Sequence, residues 1–280
     1  MFRAIAAICL AVLPAAASAQ GLADNMSRHG ALTSLETGDQ GRGWEAVGRL
    51  DIGGKGFCTG ALVADNLVLT AAHCLFDKRT GTRVRTEGIE FLAGMRNGRA
   101  AAYRNVRRAV VHPDYRYSAQ VSTGNVQVDM ALLELDMPIR NTTVVPFDTE
   151  SQPQRGDRVG VVSYAHDRMD APSLQEICGV MGVQDGILVM SCDVDFGSSG
   201  APVFTFDGGA PRIVSVVSAK AEVDGKRVAL GMQLTGALDL LKAELDHGAG
   251  PDGGAASAGA RIRVGTGGAR TTAKFLRAGE

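Results

Sequence analysis

From Glu45 onward the chain breaks into short apolar or alternating runs separated by Gly, Asp, Asn and Pro. Examples are Ala46–Ile52, Leu67–Thr70, Ile89–Leu92, Met130–Leu135, Val159–Ser163, Ile187–Met190, Ile213–Val217 and Val228–Met232. Runs of this length between turn residues predict strands, and many such strands predict a barrel or sandwich. No strand–helix alternation supports a parallel sheet. One helix is predicted near the end, where Leu234, Leu238, Leu241 and Leu245 form a stripe at helical spacing and Thr235 can cap it. Its apolar face is expected to dock onto the second half of the fold. Residues 20–44 are polar and Gly-rich without periodicity and read as an N-terminal extension.

The first residues carry a different pattern. Arg3 precedes an apolar run, Ala4 to Leu13, followed by Pro14 and the small residues Ala17-Ser18-Ala19. One positive charge, a short apolar core and an A-x-A site describe a secretory signal peptide over residues 1–19. The run is too short to span a bilayer, which takes ~20 apolar residues. The destination is the periplasm or the medium, and no other stretch predicts a membrane span.

Composition adds three limits. Lys+Arg 29 against Asp+Glu 30 leaves a net charge of −1, so nothing points to nucleic acid as a partner. Gly is abundant at 36 of 280 residues, against an average of about 7%, which suits a turn-rich β protein. From His247 the chain holds 9 Gly and 8 Ala in 34 residues, too little apolar surface for a core, so 247–280 is read as a disordered tail. Export also changes the cysteine arithmetic. Cys9 leaves with the signal, and Cys58, Cys74, Cys178 and Cys192 remain, an even number that reads as two disulfides with three connectivities. There is no C-x-x-C and no paired His at ligand spacing, so no metal site is expected.

Three segments carry candidate chemistry. In Leu69-Thr70-Ala71-Ala72-His73-Cys74 a strand delivers a histidine, two Ala allow a tight turn, and a Cys can pin it. Cys58 lies on the preceding strand, so a Cys58–Cys74 bridge would clamp the hairpin beside His73. In Gly197-Ser198-Ser199-Gly200-Ala201-Pro202 the glycines permit the tight turn that converges N–H groups on a developing oxyanion. In Val128-Asp129-Met130-Ala131-Leu132 a polar loop ends in one carboxylate before an apolar strand, a setting that can bury an acid to orient an imidazole. Asp114 and Asp136 compete locally with Asp129, and Ser198 competes with Ser199, but only Ser199 is followed by Gly-x-Pro.

In the order His, Asp, Ser these motifs resemble the chymotrypsin-like (trypsin family) serine proteases, over about Glu45 to Leu245. The segment around Ser199 looks most like the bacterial glutamyl endopeptidase branch. The resemblance implies an all-β fold of two packed antiparallel six-stranded β-barrels with a C-terminal helix. The first barrel would span 45–150 and the second 151–246. It implies His73 as general base, Asp129 as its orienting acid, Ser199 as nucleophile, and the N–H groups of Gly197 and Ser199 as oxyanion hole. It also implies the pairing Cys178–Cys192. The expected activity is hydrolysis of peptide bonds through an acyl-enzyme by an exported monomer acting on protein or peptide substrates, with no cofactor. A protease-fold binding protein with weak catalysis is the alternative.

Two departures bear on activation and specificity. Trypsin-type enzymes carry Asp before the nucleophile, where this chain has Ser198, and no Ile-Val-Gly-Gly occurs near the N-terminus. For the substrate pocket, Asp193, Ser215 and Val217 are the candidates. Aligning Ile213–Val217 with the pocket wall puts Val217 where trypsin has Gly. A stiff β-branched side chain there predicts a narrowed entrance and a preference for small or medium apolar residues before the scissile bond.

Overall fold

The computed structural model describes residues 30–54, 56–150, 153–207, 209–223, 225–234, 236–247 and 274–275. The expected signal segment, residues 20–29, Thr235 and most of the expected disordered tail lie outside the described residues.

The apolar runs fold into two antiparallel barrels. The first closes in the order β2 (Val47–Ile52), β3 (Phe57–Ala64), β4 (Leu67–Thr70), β7 (Ala131–Leu135), β6 (Ala102–Val111) and β5 (Ile89–Ala93). The second runs β9 (Arg168–Gln184), β10 (Ile187–Met190), β13 (Lys226–Gln233), β12 (Arg212–Val223), β11 (Pro202–Thr205) and β8 (Arg158–Ala165), and the β8–β9 pairing closes the ring. Each barrel thus removes its own sheet edges, which open antiparallel sheets leave exposed. Two short strands sit outside the rings. β1 (Thr33–Ser34) pairs with β9, and β14 (Lys274–Phe275) pairs with β12 at Glu222 and Ala221. A strand here differs from the disorder expected for the whole tail.

A single helical turn, α1 (Thr123–Val126), interrupts the loop between β6 and β7 and is capped by the Ser122 side chain. The longer helix α2 (Ala237–Asp246) begins after Gly236 and buries Leu238, Leu241 and Leu245, as its stripe predicts. It packs on β6 and β7, so it docks onto the first barrel rather than the second. The stripe shows that a face must be covered but not which surface covers it. This docking explains β7, whose five residues are all buried: one face looks into the barrel and the other lies under the helix. Glu134 is the polar exception on that covered face. It is bonded by Arg107 and Arg108, and Arg108 also donates to the Leu245 carbonyl at 3.1 Å.

The core is shared. Tyr164, Phe204, Val216 and Met232 of the second barrel belong to the same buried cluster as Leu50, Leu62, Phe91 and Leu132 of the first. Trp44, from the segment read as an extension, packs edge-on against Phe204 with ring centroids 5.1 Å apart. A second cluster around Val159, Leu188, Val203 and Val217 fills the second barrel.

Candidate active site

His73 follows β4 on a single 3-10 turn, Ala72–Leu75. The Cys58–Cys74 disulfide ties that turn to β3, across 16 residues of chain with Cα atoms 6.2 Å apart. Asp129 stands one residue before Met130, where the chain enters β7, and is almost fully buried. β4 and β7 are neighbours in the first barrel, with Thr70 opposite Ala131, and this brings the histidine to the acid. Asp129 Oδ1 accepts the His73 main-chain N–H at 2.8 Å, and Oδ2 lies 2.6 Å from His73 Nδ1. Ser218 of β12 donates to the same Oδ2 at 2.5 Å. A carboxylate holding three donors is fixed in place, and it fixes the imidazole with Nδ1 toward it.

Ser199 comes from the opposite barrel, in the loop between β10 and β11. Gly197 has φ +100°, and an added Cβ would meet the Phe57 ring at 2.4 Å. Gly200 has φ +78°, and a Cβ there would meet Thr70 Oγ at 2.1 Å and the Thr59 carbonyl at 2.3 Å. Both positions combine left-handed backbone with no room for a side chain, so they exclude every other residue type. The carbonyls of the turn are engaged elsewhere. The Phe196 carbonyl accepts from His166 N–H at 2.7 Å, and the Gly197 carbonyl accepts from Thr59 Oγ at 2.9 Å. Both carbonyls are therefore held away, and among the described residues the N–H groups of Gly197 and Ser199 have no acceptor.

Thr59 on β3 couples the two halves. It is fully buried; its N–H donates to the Ser199 carbonyl at 2.9 Å and its Oγ accepts Tyr164 N–H at 3.1 Å. Neither Thr59 nor Ser218 is singled out by the sequence. Thr59 stands in the segment with Cys58, but nothing in it signals a partner more than a hundred residues away. Ser198 is fully buried, its hydroxyl near Ser163 Oγ at 3.1 Å and the Tyr164 carbonyl at 3.3 Å. It points away from the cleft and offers no carboxylate to receive a new N-terminal amine.

His73, Asp129 and Ser199 line one cleft of about 720 Å³ together with Tyr115, Val121, Phe196 and Lys220. Among the described residues no hydrogen bond joins the Ser199 hydroxyl to His73. Such bonds are often long before substrate arrives and tighten on binding. Burial, and then the charge of Asp129, pushes the Tyr115 phenol far above its usual range, so it stays a neutral wall. Burial also lowers Lys78, whose ammonium stands 5.7 Å from the Phe196 ring centroid.

Of the three residues read as pocket candidates, Val217 lines the cleft and Asp193 and Ser215 do not. Asp193 is exposed and outside the cleft lining, and its N–H donates to Gln175 Oε1 at 2.7 Å. Ser215 is fully buried and donates to the Met232 carbonyl at 2.6 Å. Val217 touches the base of the cleft but is 2% exposed and packs into the second-barrel core. The bond from Ser218 to Asp129 sets the register of β12 at the site, so the wall residues beyond it are Ala219 and Lys220. The second disulfide, Cys178–Cys192, lies behind this loop with Cα atoms 5.0 Å apart, in the pairing the resemblance implied.

These features define a two-barrel hydrolase-type site with a carboxylate–imidazole pair facing a serine. The sequence profile of the trypsin-like peptidase domain matches residues 58–210, more than half of the chain, and the chain belongs to that family. It is similar to a glutamyl endopeptidase of Bacillus licheniformis, 27% identical over 150 residues, which are 53% of this chain and 45% of that protein. It is also similar to serine protease 23 of Bos taurus, 28% identical over 164 residues, covering 52% of this chain and 43% of that one. The matched stretches thus span less than half the length of these relatives. A solved structure of a Glu endopeptidase in complex with MPD superposes with a TM-score of 0.62 at 20% identity, covering 77% of this chain and 96% of the other. At that identity the likeness carries the fold. Among the described residues no helix is long and apolar enough to cross a membrane.

Proposed function

We propose that this chain is an exported serine endopeptidase that cleaves protein or peptide substrates through an acyl-enzyme. The observation that carries this reading is the doubly anchored His73–Asp129 pair at the rim of the cleft that holds Ser199. With Nδ1 committed to Asp129, Nε2 is the nitrogen left to act on the serine. His73 Nε2 takes the Ser199 proton as Oγ attacks the scissile carbonyl carbon. Asp129 stabilises the imidazolium so formed. The negative charge that develops on the carbonyl oxygen is met by the Gly197 and Ser199 N–H groups, which have no other acceptor among the described residues. Collapse of the tetrahedral adduct breaks the C–N bond, and His73 returns its proton to the leaving amine. Water, deprotonated by the same imidazole, then frees Ser199.

The substrate chain has a place to lie. On the side of β12 away from β13, pairing with β11 ends at Val216 and pairing with β14 begins at Ala221. Among the described residues no strand pairs with Ser218–Lys220 on that side, and an extended peptide can add there by main-chain bonds. A fluorophosphonate label tests the reading. The mature protein should be labelled at Ser199 and should hydrolyse a protein substrate, and Ser199→Ala should lose both. Labelling elsewhere, or turnover surviving in Ser199→Ala, would overturn it.

A further inference from the structure

The wall of the cleft beside Ser199 is crossed by an ion pair. Lys220 reaches from β12 to the loop that carries the nucleophile, where its Nζ stands 2.8 Å from Asp195 Oδ1. The same ammonium lies 3.9 Å from the centroid of the Phe196 ring. Asp195 and Phe196 immediately precede Gly197, so the contact ties β12 to the base of the oxyanion turn. Asp195 Oδ1 holds two donors, since it also accepts Phe196 N–H at 2.7 Å. Burial alone would raise its pKa. The bonds from Lys220 and Phe196 and the charges of Lys220 and Arg168 outweigh that and hold it below its ordinary value. The Lys220 side chain is 21% exposed and that of Asp195 45%, so the pair is partly desolvated, on the lysine side above all. Val194, Asp195 and Phe196 line the cleft from the nucleophile loop and Val217 to Lys220 line it from β12, while Asp193 and Ser215 are not part of its lining.

We propose that the Lys220–Asp195 pair, braced on Phe196, is a strut across the recess beside Ser199. It restricts the residue on the acyl side of the scissile bond to short, uncharged side chains such as Ala, Ser or Gly. The inference rests on the endopeptidase reading above and names its substrate class. A long apolar side chain has to displace the lysine stem. A basic side chain has to take Asp195 from Lys220 and leave one ammonium unpaired in the recess. An acidic one has to take Lys220 from Asp195 and leave a carboxylate unpaired there. Each displacement strands a partly buried charge, and binding of the intruding side chain does not offset that loss. The narrowing expected from Val217 is thereby reassigned: Val217 is core, and the residue three positions on narrows the recess.

The test is cleavage of a peptide library by the mature protein and by Lys220→Gly, Asp195→Asn and Lys220→Arg, each checked for folding by circular dichroism and for fluorophosphonate labelling. The wild type should favour short side chains. Lys220→Gly should raise the kcat/KM ratio of Leu or Phe over Ala by tenfold or more, within the ~10–200-fold that one pocket contact commands. Asp195→Asn should move the ratio the same way, and Lys220→Arg, which keeps the pair, should hold it near wild type. If Lys220→Gly does not fold, Asp195→Asn decides the outcome. A wild type that prefers Arg, Lys, Glu or Phe overturns the strut, as does an unchanged ratio in labelled, folded variants; both leave the endopeptidase reading standing. A folded wild type that neither labels nor hydrolyses overturns that reading and the strut with it.

Discussion

At the residue scale the site depends on a few groups whose alternatives are all worse. Asp129 is one: as an amide it could accept from the His73 main chain but would hold the imidazole in the wrong tautomer. Asp129→Asn should therefore fold normally and lose about 10⁴-fold in kcat. A loss below tenfold in steady-state assays would show that the acid does not orient the base. Thr59 is another. Its hydroxyl serves the Gly197 carbonyl and the Tyr164 N–H together, both buried. Thr59→Val keeps the shape but strands two polar groups, at about 1–3 kcal/mol each. Urea unfolding should show that loss, and kcat should fall with it because the freed Gly197 peptide can turn its carbonyl into the oxyanion site. Retained stability with full activity would remove Thr59 from this role.

At the scale of elements, β7 and α2 show how a covered strand tolerates a charge. Glu134 is nearly buried beneath the helix and is bonded by Arg107 and Arg108. Burial raises its pKa, but the two arginine bonds and their charges outweigh that and leave it lowered in the fold. A carboxyl lowered on folding contributes stability above its unfolded pKa of about 4.3, and the contribution is lost as pH falls through the folded value. Glu134→Gln should therefore cost about 1–3 kcal/mol at pH 7, and the gap to wild type should shrink as the pH drops below 4. A gap independent of pH would mean that packing, not charge, holds the element. The β3–β4 hairpin has its own clamp: removing the Cys58–Cys74 bridge with a double Ala variant should cost about 3 kcal/mol in thermal unfolding.

At the scale of the molecule, the barrels share one cluster of buried side chains, and both supply residues to one cleft. Trp44, the one tryptophan, packs within that shared region against Phe147 and Phe204. A common core predicts cooperative unfolding. Trp fluorescence and far-UV circular dichroism should follow the same urea transition, with one midpoint. Separate midpoints would show that each barrel unfolds alone.

Much of this was legible in the chain. Short apolar runs marked most strands, because a barrel strand buries one face and turns need Gly, Asp and Asn. His73, Asp129 and Ser199 stood out because each lies in a local motif that a rigid turn or strand end requires. Other strands were not legible. In β6, Arg104, Arg107 and Arg108 interrupt the alternation, and β9 carries Pro172 and Gly179 where it bends around the barrel. Ser218 and Lys220 were missed for one reason. The register shift in β12 between Val217 and Ala219 moves the wall by residues that no local pattern counts. The surface chosen by α2 and the grip of Thr59 on the Ser199 loop were likewise beyond the sequence. Local chemistry names the groups a site can use, because spacing and turn propensity act between near neighbours. Which side chains meet across the cleft is decided by strand register and barrel closure, and these are set by packing between segments far apart in the chain.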